Sequence, residues 1–237
     1  MKQTEIFRVN SHDTDGRGEA RPSVLLRYIQ ETANLQHLRY GPTTDELRQQ
    51  GIAFIISRVS LRIYGTLHAF DTVTAESWLG AIRGYRMERY GRLLWDGERI
   101  AELSAQWAAV DIPTGTLIKA DGLPLGFGTD EPLAMGAPGR LKIPAEATLT
   151  PTVIQRVRYG DADQNGHLNN THYPDLLWDA LPLTGGERMA QIEISYLKEA
   201  RQGTAFQVFC GAYDGAWYLR TALEDGATGA EAMIRTI

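Results

Sequence analysis

Residues 4–18, TEIFRVNSHDTDGRG, and residues 152–166, TVIQRVRYGDADQNG, decide how the chain is built. At an offset of 148 they align without a gap. Thr4, Ile6, Arg8, Val9, Asp13, Asp15 and Gly18 then fall on Thr152, Ile154, Arg156, Val157, Asp161, Asp163 and Gly166. Seven identities in fifteen positions compare with fewer than about one expected from ordinary residue usage. The chain reads as two copies of one unit, and 237 residues suit two units of roughly 120.

The repeat continues as pattern after the identities stop. Ser23 falls on Thr171, and either hydroxyl suits a helix N-terminus. Leu25, Tyr28, Ile29 and Thr32 fall on Tyr173, Leu176, Leu177 and Ala180, the i, i+3, i+4, i+7 spacing of a helix with one buried face. Gly41-Pro42 stops the first helix, and Pro174 sits in the first turn of the second, where a missing N–H costs little. Strand patterns follow each helix. In RVSLRIY (58–64), Val59, Leu61 and Ile63 alternate with polar residues. DTVTAESWL (71–79) and RIAELSAQWAAVDI (99–112) read as further strands. The second half offers AQIEISYLKE (190–199), FQVFCGAY (206–213), WYLRTALE (217–224) and EAMIRTI (231–237), separated by turns. Each copy is thus an α+β unit, a helix packed on an antiparallel sheet. Residues 122–140 hold five Gly and three Pro with little periodicity. The expected division is 1–121, a connector over 122–148, and 149–237.

Composition narrows the function. Hydrophobic content of 43% and charged content of 22% are those of a globular protein with a substantial core. A net charge of −5 without a basic run argues against nucleic-acid binding. Cys210 is the single cysteine, so neither a disulfide framework nor a cysteine-rich zinc site is expected. MKQTEIFRVN lacks the apolar stretch of a signal peptide, and no segment has the roughly 18 apolar residues of a membrane span. A cytoplasmic protein is the expectation.

Residues 161–173, DADQNGHLNNTHY, carry the chemistry. Asp163, Asn165 and His167 alternate, so an extended segment turns all three to one side. A carboxylate, an amide and an imidazole beside the N–H groups of a helix start can polarise a carbonyl and hold its oxyanion. Copy one keeps Asp15 opposite Asp163 but has Arg17 opposite Asn165 and Glu19 opposite His167, as if chemistry were retained in one copy. D-x-D-x-N-G at 161–166 also opens like a calcium loop, but its twelfth position is His172 instead of a bidentate Glu. His167 and His172 are five apart and off a common helix face, so no metal is expected. Asx-rich segments also serve simply as turns and caps, and spacing alone leaves that reading open.

Asp163, Asn165, His167, Asn169, Asn170 and Tyr173 resemble the D-x-N-x-H-V-N-N-x-x-Y signature of acyl-acyl-carrier-protein thioesterases, with Leu168 for the usual Val. LLRYIQETANLQHLRYG (25–41) and GIAFIISRVSLRIYGTLHAFDTVTAESW (51–78) resemble the same family. The resemblance implies two fused hotdog domains, the first holding the acyl chain and the second catalytic. It implies hydrolysis of fatty acyl thioesters, with no cofactor. SYLKEARQG (195–203) places Glu199 on the family's catalytic Glu and Ala200 where a catalytic Cys was once proposed. The implied site is Asp163, Asn165, His167 and Glu199. In that mechanism Glu199 activates water or attacks directly, Asn165 and His167 orient carbonyl or water, and Asp163 orients His167 or shares in water activation. Cys210, in an apolar strand, reads as a buried small hydrophobe. The implied partner is acyl-carrier protein with its phosphopantetheine-linked acyl chain. Arg83, Arg86, Arg89 and Arg92 recur every third residue as a candidate docking surface for that acidic carrier, or as a solvated face. Acyl-coenzyme A is the alternative donor, and a silent acyl-binding protein the alternative from another class. A homodimer through a sheet edge stays open.

Overall fold

The structure, a computed structural model, describes residues 1–237. It divides into two compact units, Met1–Pro138 and Gly139–Ile237. No helix is long and apolar enough to cross a membrane.

The first unit runs β1 (Lys2–Arg8), α1 (Pro22–Tyr40), α2 (Thr44–Gln49), β2 (Ile52–Ile63), β3 (Thr72–Arg83), β4 (Arg86–Trp95), β5 (Glu98–Asp111) and β6 (Leu117–Ile118). Its antiparallel sheet has the order β1-β3-β4-β5-β2, with β6 on β5. The second unit runs β7 (Thr150–Arg156), α3 (Tyr173–Trp178), β8 (Met189–Tyr196), β9 (Ala205–Tyr213), β10 (Ala216–Leu223) and β11 (Thr228–Thr236). Its order, β7-β9-β10-β11-β8, repeats that of the first sheet strand for strand. Both units are hotdog-type α+β folds.

α1 forms because its apolar residues share one face. Val24, Leu25, Tyr28, Ile29, Thr32, Ala33 and Gln36 are buried on it. Pro22 at its start has φ preset for a helix. Gly41 ends it at φ 67, its N–H donating to the His37 carbonyl at 2.7 Å. Each apolar side chain fully buried here contributes about 1.5–3 kcal/mol. Phe7 of β1 stacks on Tyr28 at 4.7 Å. Trp78 and Tyr90 fill the sheet face, and Leu133 of the following segment covers them. Trp78 Nε1 donates to the Glu131 carbonyl at 2.8 Å. The Gly- and Pro-rich stretch expected as a connector therefore packs on the first unit as far as Pro138.

The second helix differs from its expected length. It stops at Trp178, short of Ala180. Pro182 lacks an N–H and disfavours helical backbone at Leu181, whereas the equivalent Asn34 lets α1 continue. The expected caps shift as well. Ser23 lies inside α1, and Asn169, not Thr171, caps the 3-10 turn Asn170–His172, its Oδ1 accepting from Thr171 N–H at 3.0 Å.

β4 also overturns the reading of the arginine run. Strand side chains alternate with period two, so residues three apart point to opposite faces. Arg86 is exposed and Arg89 buried, while Arg92 pairs with Glu76 and Glu102 at 3.8 and 3.5 Å. The four arginines share no docking surface.

Candidate active site

The polar loop is a closed turn and not an extended segment. Asp163 N–H donates to the His167 carbonyl at 2.8 Å, and Gly166 N–H to the Asp163 carbonyl at 3.0 Å. Gly166 takes φ 75, a conformation L side chains rarely adopt. The Asp163 carboxylate closes the turn from inside, with Oδ1 accepting from the main-chain N–H groups of Asn165 at 2.8 Å and His167 at 3.2 Å. Its Oδ2 lies 3.3 Å from Asn165 Nδ2.

The first copy builds the same turn. Asp15 N–H donates to the Glu19 carbonyl at 2.8 Å, Gly18 N–H to the Asp15 carbonyl at 3.0 Å, and Gly18 has φ 78. Asp15 Oδ1 accepts from Arg17 and Glu19 main-chain N–H groups at 2.9 and 3.0 Å. Burial alone would raise the Asp15 pKa. The Glu19 and Arg17 N–H groups and the Arg17 guanidinium outweigh it and hold the carboxyl below its ordinary value. An aspartate and a glycine retained in both copies thus make the loop. Asp163 meets His167 at its main-chain N–H, and the His167 ring meets Glu199 instead.

A second correspondence joins the loop to the strand end. Leu168 N–H donates to the Ala200 carbonyl at 2.8 Å, as Ala20 N–H does to that of Leu67. Gly203 N–H donates to the Val157 carbonyl as Phe70 N–H does to that of Val9. Glu199 therefore occupies the place of Thr66 in the first copy. It sits just beyond β8 and is 65% exposed. Its Oε2 is 3.1 Å from Nδ1 of His167, whose side chain is 22% exposed. Residues far apart in the chain are thus brought together, and the first copy has Arg17, Glu19 and Thr66 where the second has Asn165, His167 and Glu199.

Two phenols pack beside the loop. Tyr173 and Tyr196 meet edge to face at 5.2 Å, and Tyr196 hydroxyl donates to the Asn170 carbonyl at 3.1 Å. Burial, with the Glu199 charge behind it, pushes the Tyr173 hydroxyl up to about 12. Neither phenol was singled out in the sequence for this purpose; the Tyr196 contact depends on the sheet passing under the loop. The helix start offers less to an oxyanion than expected. The N–H groups of Asn169, Thr171 and His172 are spent on Asp161, the Asn169 side chain and the Asn169 carbonyl. Cys210 is buried in β9, and burial pushes its thiol up to about 11, which leaves it protonated and unreactive at neutral pH.

Matches over both units to the two domain models of one family, on a hotdog-type fold, define the class, a hydrolase of acyl thioesters. The chain belongs to the acyl-ACP thioesterase family. The family's N-terminal domain model matches residues 1–119 and its C-terminal domain model residues 150–234. Solved structures share the fold over the whole chain. An acyl-ACP thioesterase from Bacteroides thetaiotaomicron VPI-5482 is 19% identical at TM-score 0.89, covering 100% of this chain and 98% of its own. A 12:0-ACP thioesterase from Umbellularia californica is 15% identical at TM-score 0.83, covering 100% and 97%. No curated protein sequence matches the chain.

Proposed function

We propose that the chain releases free fatty acid from acyl-acyl-carrier protein in the cytoplasm. In this reading the first unit holds the acyl chain and the second performs the hydrolysis. The contact of 3.1 Å between His167 Nδ1 and Glu199 Oε2 carries the proposal. A carboxylate bonded to one ring nitrogen fixes the imidazole's orientation and supports its positive charge. An exposed carboxylate is also open to water, so the pair activates a water molecule that attacks the thioester carbonyl. Asn165 donates to the carbonyl oxygen as charge develops there. The tetrahedral intermediate collapses by breaking the C–S bond. The thiol leaves readily, its pKa being roughly 8.5, so a strong general acid is not required. Asp163 acts by holding the loop, not by touching substrate.

Steady-state hydrolysis of carrier-protein and coenzyme A thioesters, by wild type and Glu199→Gln, tests this. A folded variant whose kcat falls by roughly 10²–10⁴ supports the pair as the acid–base unit. The kcat/KM ratio for the two donors identifies the physiological class, and a coenzyme A preference would replace the carrier-protein reading. Full activity in the variant would move the chemistry away from Glu199.

A further inference from the structure

Tyr173 opens α3 and is 4% exposed. A buried tyrosine usually finds a partner for its hydroxyl, as Tyr196 does in the Asn170 carbonyl at 3.1 Å. The Tyr173 hydroxyl has no partner in the chain, and its oxygen is not sealed from solvent. Burial first and the Glu199 charge second raise its pKa to about 12, so it is a proton-bearing donor throughout the neutral range. For that charge to act on it the hydroxyl must lie near Glu199. The rings agree, since Tyr173 packs edge to face at 5.2 Å on Tyr196, three residues before Glu199.

Packing does not require this hydroxyl. In the first copy Leu25 stands at the position equivalent to Tyr173 and is buried on α1. An apolar body is common to both copies, and the hydroxyl occurs only in the copy that has His167 and Glu199. Hydrolysis puts negative charge on the thioester oxygen, and preorganised donors aimed at that oxygen lower the barrier. The N–H groups of Asn169, Thr171 and His172 are already spent within the turn, so a free side-chain donor beside Glu199 meets that need.

We propose that the Tyr173 hydroxyl donates to the thioester carbonyl oxygen and holds it as it becomes an oxyanion. The inference rests on the hydrolase reading of this site and adds a catalytic residue to it. Water adds to the carbonyl carbon, its proton passing to the Glu199–His167 pair, and the oxyanion forms against the hydroxyl. The carbonyl re-forms as the C–S bond breaks, and the thiolate takes up the proton. The phenol keeps its own proton throughout. Its hydrogen bond strengthens as charge develops on the oxygen, which is where binding accelerates a reaction.

Tyr173→Phe removes the hydroxyl and keeps the ring. Hydrolysis of thioesters from butyryl to palmitoyl, on carrier protein and on coenzyme A, is measured for wild type and variant beside urea unfolding. The expected result is a kcat lower by about 10²–10³ at an unchanged unfolding midpoint and an unchanged pH profile. Wild-type kcat in the variant would overturn the proposal. A displaced acid limb of kcat/KM with kcat otherwise retained would overturn it as well, because Tyr173 would then act by positioning Glu199. Difluorotyrosine at position 173 keeps the test open if the Phe variant does not fold. Its more acidic phenol should bring in a new alkaline limb, where the phenolate no longer donates; an alkaline profile identical to that of wild type would sink the idea. Wild-type turnover that is indifferent to Tyr173 removes this inference alone, whereas no turnover of any thioester by wild type removes the hydrolase reading with it.

Discussion

Asp163 and Asp15 accept the same pair of main-chain N–H groups in loops of the same shape, yet only one loop carries His167 and a facing carboxylate. That separates what folds the loop from what acts in it. Asp15→Ala should cost about 1–2 kcal/mol, the worth of hydrogen bonds to a partly exposed charged acceptor, and leave kcat unchanged. Asp163→Ala should cost a similar amount and also lower kcat, because the His167 main chain is released. Urea unfolding beside steady-state turnover checks both. An Asp163→Ala protein of wild-type stability without activity would instead place Asp163 on the substrate. The Glu199–His167 pair is the converse case. A pair this exposed contributes about 0–1 kcal/mol, so Glu199→Gln should leave the unfolding midpoint nearly in place while activity falls. The sequence offered Asp163, Asn165 and His167 as neighbours, and their repeat partners were legible beside them. That Thr66 answers Glu199 was not legible, because the second copy lacks α2 and most of the helix, and the offset changes between loop and strand.

Between elements, α1 comes close to β4 at Gly91. A Cβ there would meet Ile29 Cγ2 and the Glu76 carbonyl, so helix and sheet pack this tightly only over a residue without a side chain. Gly91→Ala should destabilise by roughly 1–3 kcal/mol, the cost of overpacking a filled core. Ile29→Ala in the same chain removes the nearer obstacle while the Glu76 carbonyl stays, so the double variant should be more stable than additivity of the single changes allows. Thermal or urea melts of the double-mutant cycle measure that coupling. A strictly additive result would mean that α1 shifts off the sheet to admit the methyl. The helix and most strands were readable from periods of 3.6 and 2. β4 is hidden in the sequence because arginines three apart mimic a surface run, although Met87, Arg89, Gly91 and Leu93 carry the buried period of two. The matching pattern carries the second helix to Ala180, past its end at Trp178, because Pro182 lies beyond the pattern's last residue.

Across the whole molecule, the repeat predicted two like sheets, and their identical strand order follows from it. Nothing in the sequence marks Arg89 and His37 as buried together, since each sits in an ordinary polar context along its own element. Their burial has a consequence for acid stability. His37 is 9% exposed; burial first and the Arg89 charge second bring its pKa down to about 4, while its Nδ1 stays 3.1 Å from the Pro42 carbonyl. An unfolded chain protonates this histidine near pH 6.5, whereas the folded unit resists until about pH 4. Below pH 6.5 the unfolded state therefore holds the extra proton, and stability falls with pH at up to about 1.4 kcal/mol per unit. The loss from this group reaches about 3 kcal/mol by pH 4 and then levels off, since both states are protonated; above pH 6.5 it contributes no slope. Carboxylates add acid sensitivity in the same direction, so the informative quantity is the difference between wild type and His37→Gln. Urea unfolding of the two proteins from pH 7.5 to 4 should show curves that diverge in slope only below about pH 6.5, the variant being the flatter. Parallel curves throughout would mean that His37 gains a proton in the folded unit as easily as in the unfolded chain.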